Sequence, residues 1–205
     1  MRRTILVLGA AALALSACST PTTNGTPTPT SGGTSPSPSN PASPAPGVPK
    51  VGNPIDLTRV KQSPCSALTS TQAKDLLGQS VESKGREGQF GPACLWSIPS
   101  AIRPHVDVLF SNLPDSGTAR FYAAKGTDYK LLEPIEPIDG YPLTAYGTED
   151  ERTSKGRCAV ALGTSNTETI SIALEQSEAN IGKKDPCDAA REAAIRVLTT
   201  IRGGN

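Results

Sequence analysis

The chain has 205 residues, 36% of them hydrophobic and 4% aromatic, and its 20 basic and 19 acidic side chains nearly cancel. That balance excludes nucleic acid as the main partner, since neutralising phosphates takes a basic excess. Beyond the N-terminus no apolar run approaches the ~18 residues of a membrane span, which excludes a multispanning membrane protein. The size suits one ordinary domain with appendages.

Met1-Arg2-Arg3 is a short basic start, and the stretch from Thr4 to Leu15 is apolar and rich in Leu and Ala. Small residues and Cys18 follow, the pattern of a secretory signal. The end of this segment, Leu15-Ser16-Ala17-Cys18, resembles the lipobox of bacterial lipoproteins. The resemblance implies that residues 1–17 are a signal peptide, that Cys18 becomes the mature N-terminus, and that its thiol carries diacylglycerol. Acyl chains contribute about 0.8 kcal/mol per buried methylene, so two or three together make a stable anchor. Membrane lipid, reached through Cys18, is then an expected partner, and the outer face of the cytoplasmic membrane the expected location. Loss of Arg2 and Arg3 leaves 18 basic against 19 acidic side chains, so no basic patch is expected to reinforce attachment.

Residues 19–54 hold 10 Pro, 7 Thr, 6 Ser and 5 Gly, with Lys50 the only charge and no aromatic residue. Such a stretch has too little apolar surface to offset the entropy of ordering, so residues 18–54 are expected to be a disordered tether. Its Pro content makes it semi-extended, spanning about 30–36 Å as a coil.

Residues 55–205 contain every acidic residue and form the expected folded domain. With Cys18 spent on lipid, Cys65, Cys94, Cys158 and Cys187 remain, an even number in an exported, oxidising setting, which implies two disulfides. Four cysteines allow three pairings, and spacing alone does not choose. The coarse fold helps. Cys158 opens a strand over 158–162, residues 163–166 turn it, and a strand over 169–174 returns antiparallel to end beside it. Cys187 lies a short loop further on, so the expected pairs are Cys158–Cys187 and Cys65–Cys94. The cysteine spacings lack the close pair that structural zinc sites normally use, so no metal is expected there.

Thr69-Ser70-Thr71-Gln72 resembles a capping box and Gly78 suits a helix end, which predicts a short helix over Ser70–Leu77. Strands are expected at 80–84 and 94–98, joined by the Gly-rich stretch 85–91. Residues 105–111 read as a strand, with Val106, Val108 and Phe110 set against Asp107 and Leu109. Ser116 is expected to cap a short helix carrying Phe121 and Tyr122. Strands near 129–132 and 141–146 precede the final hairpin. The clearest helix comes last: Asp185 at the cap, Pro186 at the first position, an apolar stripe of Ala190, Ala193, Ala194, Val197, Leu198 and Ile201, and Gly203-Gly204 to stop it. The expected class is α+β, an antiparallel sheet with an N-terminal short helix and a C-terminal helix packed on it, held by two disulfides.

Pro64-Cys65-Ser66-Ala67-Leu68-Thr69, Cys94-Leu95-Trp96, Gly140-Tyr141-Pro142, Cys158-Ala159-Val160 and Pro186-Cys187-Asp188-Ala189-Ala190 together resemble one family. It is domain-of-unknown-function family 3558, actinobacterial lipoproteins that include the mycobacterial LprB-like type. The resemblance implies export, surface anchoring and a disulfide-bonded α+β domain, and it brings no catalytic residues with it.

The residues themselves carry no familiar catalytic pattern. His105 is the only histidine and begins a strand after Pro104, where an edge or hydrogen-bonded surface role is expected. No Ser lies in a Gly-x-Ser-x-Gly turn, and no Ser-x-x-Lys or phosphate-cradling loop is present. Glu149-Asp150-Glu151 is compact but lacks the alternating spacing of a calcium loop, and beside Arg152 and Lys155 it reads as a solvated turn. The repeat Glu133-Pro134-Ile135-Glu136-Pro137-Ile138 is extended and unable to sit centrally in a sheet. Trp96 is expected to pack on a disulfide, while Tyr122, Tyr129, Tyr141 and Tyr146 could line a groove. The expectation is a non-enzymatic, lipid-anchored domain that binds a ligand or protein of the cell envelope, without a cofactor. An envelope hydrolase or transferase, or its accessory subunit, is the alternative, and an apolar cleft with convergent polar groups would favour binding.

Overall fold

The computed structural model describes residues 47–78 and 80–203. Cys18, the expected signal peptide and most of the expected tether lie outside the described residues.

Seven strands form one antiparallel sheet: β1 (Glu82–Gly88), β2 (Gly91–Ser97), β3 (His105–Phe110), β4 (Leu131–Ile138), β5 (Tyr141–Gly147), β6 (Arg157–Gly163) and β7 (Thr169–Glu175). Their order is β1-β2-β3-β7-β6-β5-β4. The sheet is thus two meanders, one of three strands and one of four, joined side by side along β3 and β7. The two-residue side-chain period sorts its faces. Val106, Val108 and Phe110 of β3 are buried on one face, as are Ile170, Ile172 and Leu174 of β7.

That core face is covered by α1 (Thr58–Gln62), a 3-10 turn at Pro64–Ala67, α2 (Ser70–Leu77) and α5 (Pro186–Ile201). Helix α5 lies over β6 and β7 and buries Ala190, Ala193, Ala194, Val197 and Leu198. Three of those five are Ala, so the helix backbone approaches the sheet closely. Its cap is as the sequence predicts: the Asp185 side chain accepts from the Cys187 N–H at 2.8 Å, with Pro186 at the first position. Helix α2 has the predicted bounds, the reciprocal Thr69–Gln72 capping box and a left-handed Gly78 with φ of 80°. The two expected disulfides form. Cys65–Cys94 ties the 3-10 turn to β2, and Cys158–Cys187 ties β6 to the first turn of α5, each with Cα atoms 5.0 Å apart. Both bonds therefore fasten the helical layer to the sheet. Trp96, two residues from Cys94 on the same face of β2, is buried in this core.

Four expectations are corrected. The Gly-rich stretch 85–91 is not a loop but most of a hairpin, turning at Gln89 and Phe90. As an edge strand exposed throughout, β1 needs no apolar alternation, so the sequence period is silent there. Gly85 lies against the Cys65–Cys94 bridge, where a Cβ would make an ordinary 3.6 Å contact with the Cys65 sulfur. Ser116 does not cap α3 (Thr118–Ala123), whose cap is Gly117; Ser116 is buried, its hydroxyl 3.5 Å from the Thr167 carbonyl. The strand expected at 129–132 runs on as β4 through Pro134 and Pro137, which an edge position permits. Finally, ordered packing begins before Ile55. Val51 is buried, its N–H donates to Asn166 Oδ1 at 3.1 Å, and the Tyr141 hydroxyl donates to the Asn53 carbonyl at 2.9 Å. Composition missed this because a few fixed contacts from the domain suffice to seat a short polar strap.

Candidate functional site

The face of the sheet away from α5 is only partly covered. Its side chains form rows that the strand register fixes. One row runs Tyr146, Ala159, Ala173, Asp107, Leu95 from β5 to β2, and the next runs Thr144, Ala161, Ser171, Leu109, Ala93, Arg86 from β5 to β1. The central positions on β6 and β7 are small, so longer side chains from outer strands can lie across them.

Two do so. Tyr146, on β5, reaches over β6 and its hydroxyl hydrogen-bonds Ser171 on β7. Arg86, on β1, reaches over β2 and pairs with Asp107 on β3. Strand neighbours stand about 4.8 Å apart, so each contact bridges roughly 10 Å of sheet.

Helix α3 covers the β5–β6 end of this face. Phe121, Leu132 and Ala161 form a second small core there, with Tyr122, Tyr129 and Tyr146 packed against it. The helix seats because β6 ends in glycine: a Cβ on Gly163 would come within 2.7 Å of Thr118 Oγ1 and 2.8 Å of Pro142 Cγ. Phe121, Tyr129 and Tyr146 form a ring triad with centroids 4.7–5.6 Å apart. Offset and edge-on arrangements of this kind are favourable aromatic geometry.

The uncovered remainder is a cleft of two lobes that share Leu109, Tyr129, Tyr146 and Ser171. One lobe, about 280 Å³, is walled by Arg86 and Asp107 on one side and by Glu149, Glu151 and Arg157 on the other. Its charges are internally matched, with Arg86 on Asp107, Arg157 on Glu151 at 3.2 Å, and Glu149 on Lys130. The other lobe, about 290 Å³, is lined by the aromatic triad with Phe90, Leu109 and Leu113, and by Arg120. Burial pushes the Tyr146 hydroxyl above the ordinary phenol range, only partly offset by the Ser171 hydrogen bond. Burial likewise raises Tyr129, against the pull of the nearby Arg120 charge.

The residues singled out in the sequence fall into separate places. Tyr129 and Tyr146 do line a groove, whereas Tyr141 is buried on the core face. His105 sits on an inner strand with Nδ1 3.0 Å from the Ile102 carbonyl, the hydrogen-bonded role rather than the edge one, and Nε2 3.7 Å from Glu175. His105 pairs across with Glu175, four residues along β7 from Ser171, which separates the two side chains by about 13 Å. The Glu149-Asp150-Glu151 turn is solvated and each carboxylate has its own cation: Lys130, Arg152, and Lys155 with Arg157. Glu133 and Glu136 of the Pro-containing edge strand pair with Arg152 and Arg191. Among the described residues no group of three or more His, Cys, Asp or Glu side chains is placed to hold a metal.

Sequence reasoning missed Arg86, Asp107, Arg120 and Ser171. Their signal is the alternation of small residues on one face of β6 and β7, visible only once the register sets those strands side by side.

Fold and cleft together define a class: a disulfide-bonded α+β domain with helices packed on one sheet face and the other left open as a two-lobed groove. The chain belongs to the DUF3558 family, described as protein of unknown function, whose model matches residues 13–200. No curated protein and no solved structure matches it.

Proposed function

We propose that this chain is a lipid-anchored, non-enzymatic binding protein of the actinobacterial cell envelope, of the LprB-like type, and that its ligand sits in the open-face cleft. The cleft carries the reading: a sheet face left open where a second layer would ordinarily cover it, with aromatic and charged groups converging on the gap. The N-terminal pattern ending in Leu15-Ser16-Ala17-Cys18 supports the anchor, with cleavage after residue 17, acylation of Cys18 and residence on the outer face of the cytoplasmic membrane. The Pro-rich chain that follows supports a tether that holds the domain off the bilayer. Both cysteine pairs suit an oxidising compartment.

The chemistry of the cleft favours binding over turnover. Ser171 lines both lobes, and its partner Tyr146 is a phenol whose proton burial retains, so it is a poor general base.

The test has two parts. Intact mass of the protein from an actinobacterial host should show removal of residues 1–17 with acyl additions, abolished by Cys18→Ser. Envelope components photo-crosslinked to the wild-type chain should be lost in the cleft-filling Ala173→Trp variant. Equal crosslinking by both would overturn the cleft assignment, and an unmodified Cys18 would overturn the anchor.

A further inference from the structure

We infer that the aromatic lobe of the cleft binds a small apolar carboxylate, its ring or chain against Tyr129 and Phe121 and its carboxylate on Arg120. The inference rests on the cleft reading above and adds the chemical class of the occupant.

The polar groups of this lobe decide the class. Apart from the Tyr129 phenol, its hydroxyls are already engaged: Ser171 with Tyr146, Thr169 donating to the Ser116 carbonyl at 2.8 Å, and Ser111 accepting from the Leu113 N–H at 3.1 Å. Ser116 itself points to the Thr167 carbonyl. Arg120 is different. Among the described residues its guanidinium has neither a hydrogen bond nor an ion pair, although it lines the lobe. It lines the lobe together with Phe121, Tyr129 and Tyr146, and its charge opposes the burial-driven rise at the Tyr129 hydroxyl.

The neighbouring lobe sharpens the contrast, because there every charged side chain faces an opposite one. A ligand anion gains nothing by displacing those pairs, whereas at Arg120 it meets an uncompensated cation with bidentate geometry to offer. The apolar side is equally specific. Phe90, about half exposed, stands with Leu109 and Leu113 opposite the ring triad. At about 290 Å³ the lobe lies at the lower limit of small-molecule sites, which fits one bicyclic ring or a short acyl chain.

The test uses the full chain with both disulfides formed and two fluorescent probes of one shape, 2-naphthoate and 2-naphthalenemethanol. Wild type should bind naphthoate at least about tenfold more tightly than the alcohol in low salt, and the preference should shrink as salt screens the exposed charge. Arg120→Gln, a change at an exposed position, should abolish the preference and leave affinity for the alcohol unchanged. Leu109→Trp, which fills the shared floor, should weaken both probes; if it fails to fold, Phe90→Ala should weaken both instead. If neither probe binds wild type, or if Arg120→Gln leaves the preference intact, the inference is overturned. If both probes bind and neither floor nor mouth variant weakens them, the cleft reading itself fails.

Discussion

The hydroxyls of Tyr146 and Ser171 meet across β6, over two alanines, and this contact divides the open face into its two lobes. Tyr146 is at once a member of the aromatic triad and part of the floor of the charged lobe. Its position therefore reports on both.

Removing both partners should cost less than the two single removals added together. Ser171→Ala leaves the Tyr146 hydroxyl without its partner, and Tyr146→Phe does the same to Ser171, each at about 1 kcal/mol. The double variant should lose less than the two single losses added together. A urea-denaturation cycle with unchanged m-values measures this coupling; strict additivity would show that the contact does not contribute.

Alkaline pH should destabilise the domain through the same residue. Its phenol titrates higher in the folded than in the unfolded chain, so the folded state binds more protons once the pH exceeds about 10. Stability is thus fully present below that pH and declines as the pH rises toward the folded-state value. Absorbance titration at the phenolate band should show a late fraction that shrinks in Tyr146→Phe.

Acid should act on the α4 (Arg152–Lys155) turn instead. Hydrogen bonds from Arg152 and Lys155 hold Asp150 and Glu151 below the ordinary carboxylate range. Their support is present above that range and is lost as the pH falls through the lowered values. NMR chemical shifts of 149–157 should move at lower pH than those of an unpaired carboxylate, with little change in overall stability because these pairs are exposed.

Gly163→Ala should push α3 off the sheet. The added methyl meets Thr118 and Pro142 at less than 3 Å, and relieving that overlap should cost about 1–3 kcal/mol. The readout specific to this mechanism is loosening of the Phe121–Tyr129–Tyr146 triad, seen in near-ultraviolet circular dichroism, alongside the lower melting temperature.

The two disulfides close loops of equal length, 29 residues apart in each case. By loop entropy each should therefore contribute about 3–4 kcal/mol. Paired Cys→Ser variants, at 65 with 94 and at 158 with 187, should fall within about 1 kcal/mol of one another in denaturant titrations. A much larger loss for one would locate native-state packing that loop closure does not describe.

Local chemistry made much of this molecule legible in its sequence. Caps, stops and alternation are short-range: Thr69 with Gln72, Gly78, Asp185 with Pro186, and the apolar period of β3 and β7 each act within a few residues, so α2, α5 and the last hairpin could be read directly. That hairpin also carried the cysteine pairing, because antiparallel return brings Cys158 opposite Leu174, a short loop from Cys187. The edge strand β1 and the Gly117 cap were not legible, since an exposed edge needs no pattern and a glycine cap offers no side chain. The cleft belongs wholly to tertiary structure. Nothing in the local sequence says that Arg86 will reach Asp107 or Tyr146 reach Ser171. Those contacts exist because the register of six strands sets Ala93 between Arg86 and Asp107 and small residues between Tyr146 and Ser171, and register is decided by how the opposite face packs against the helical layer.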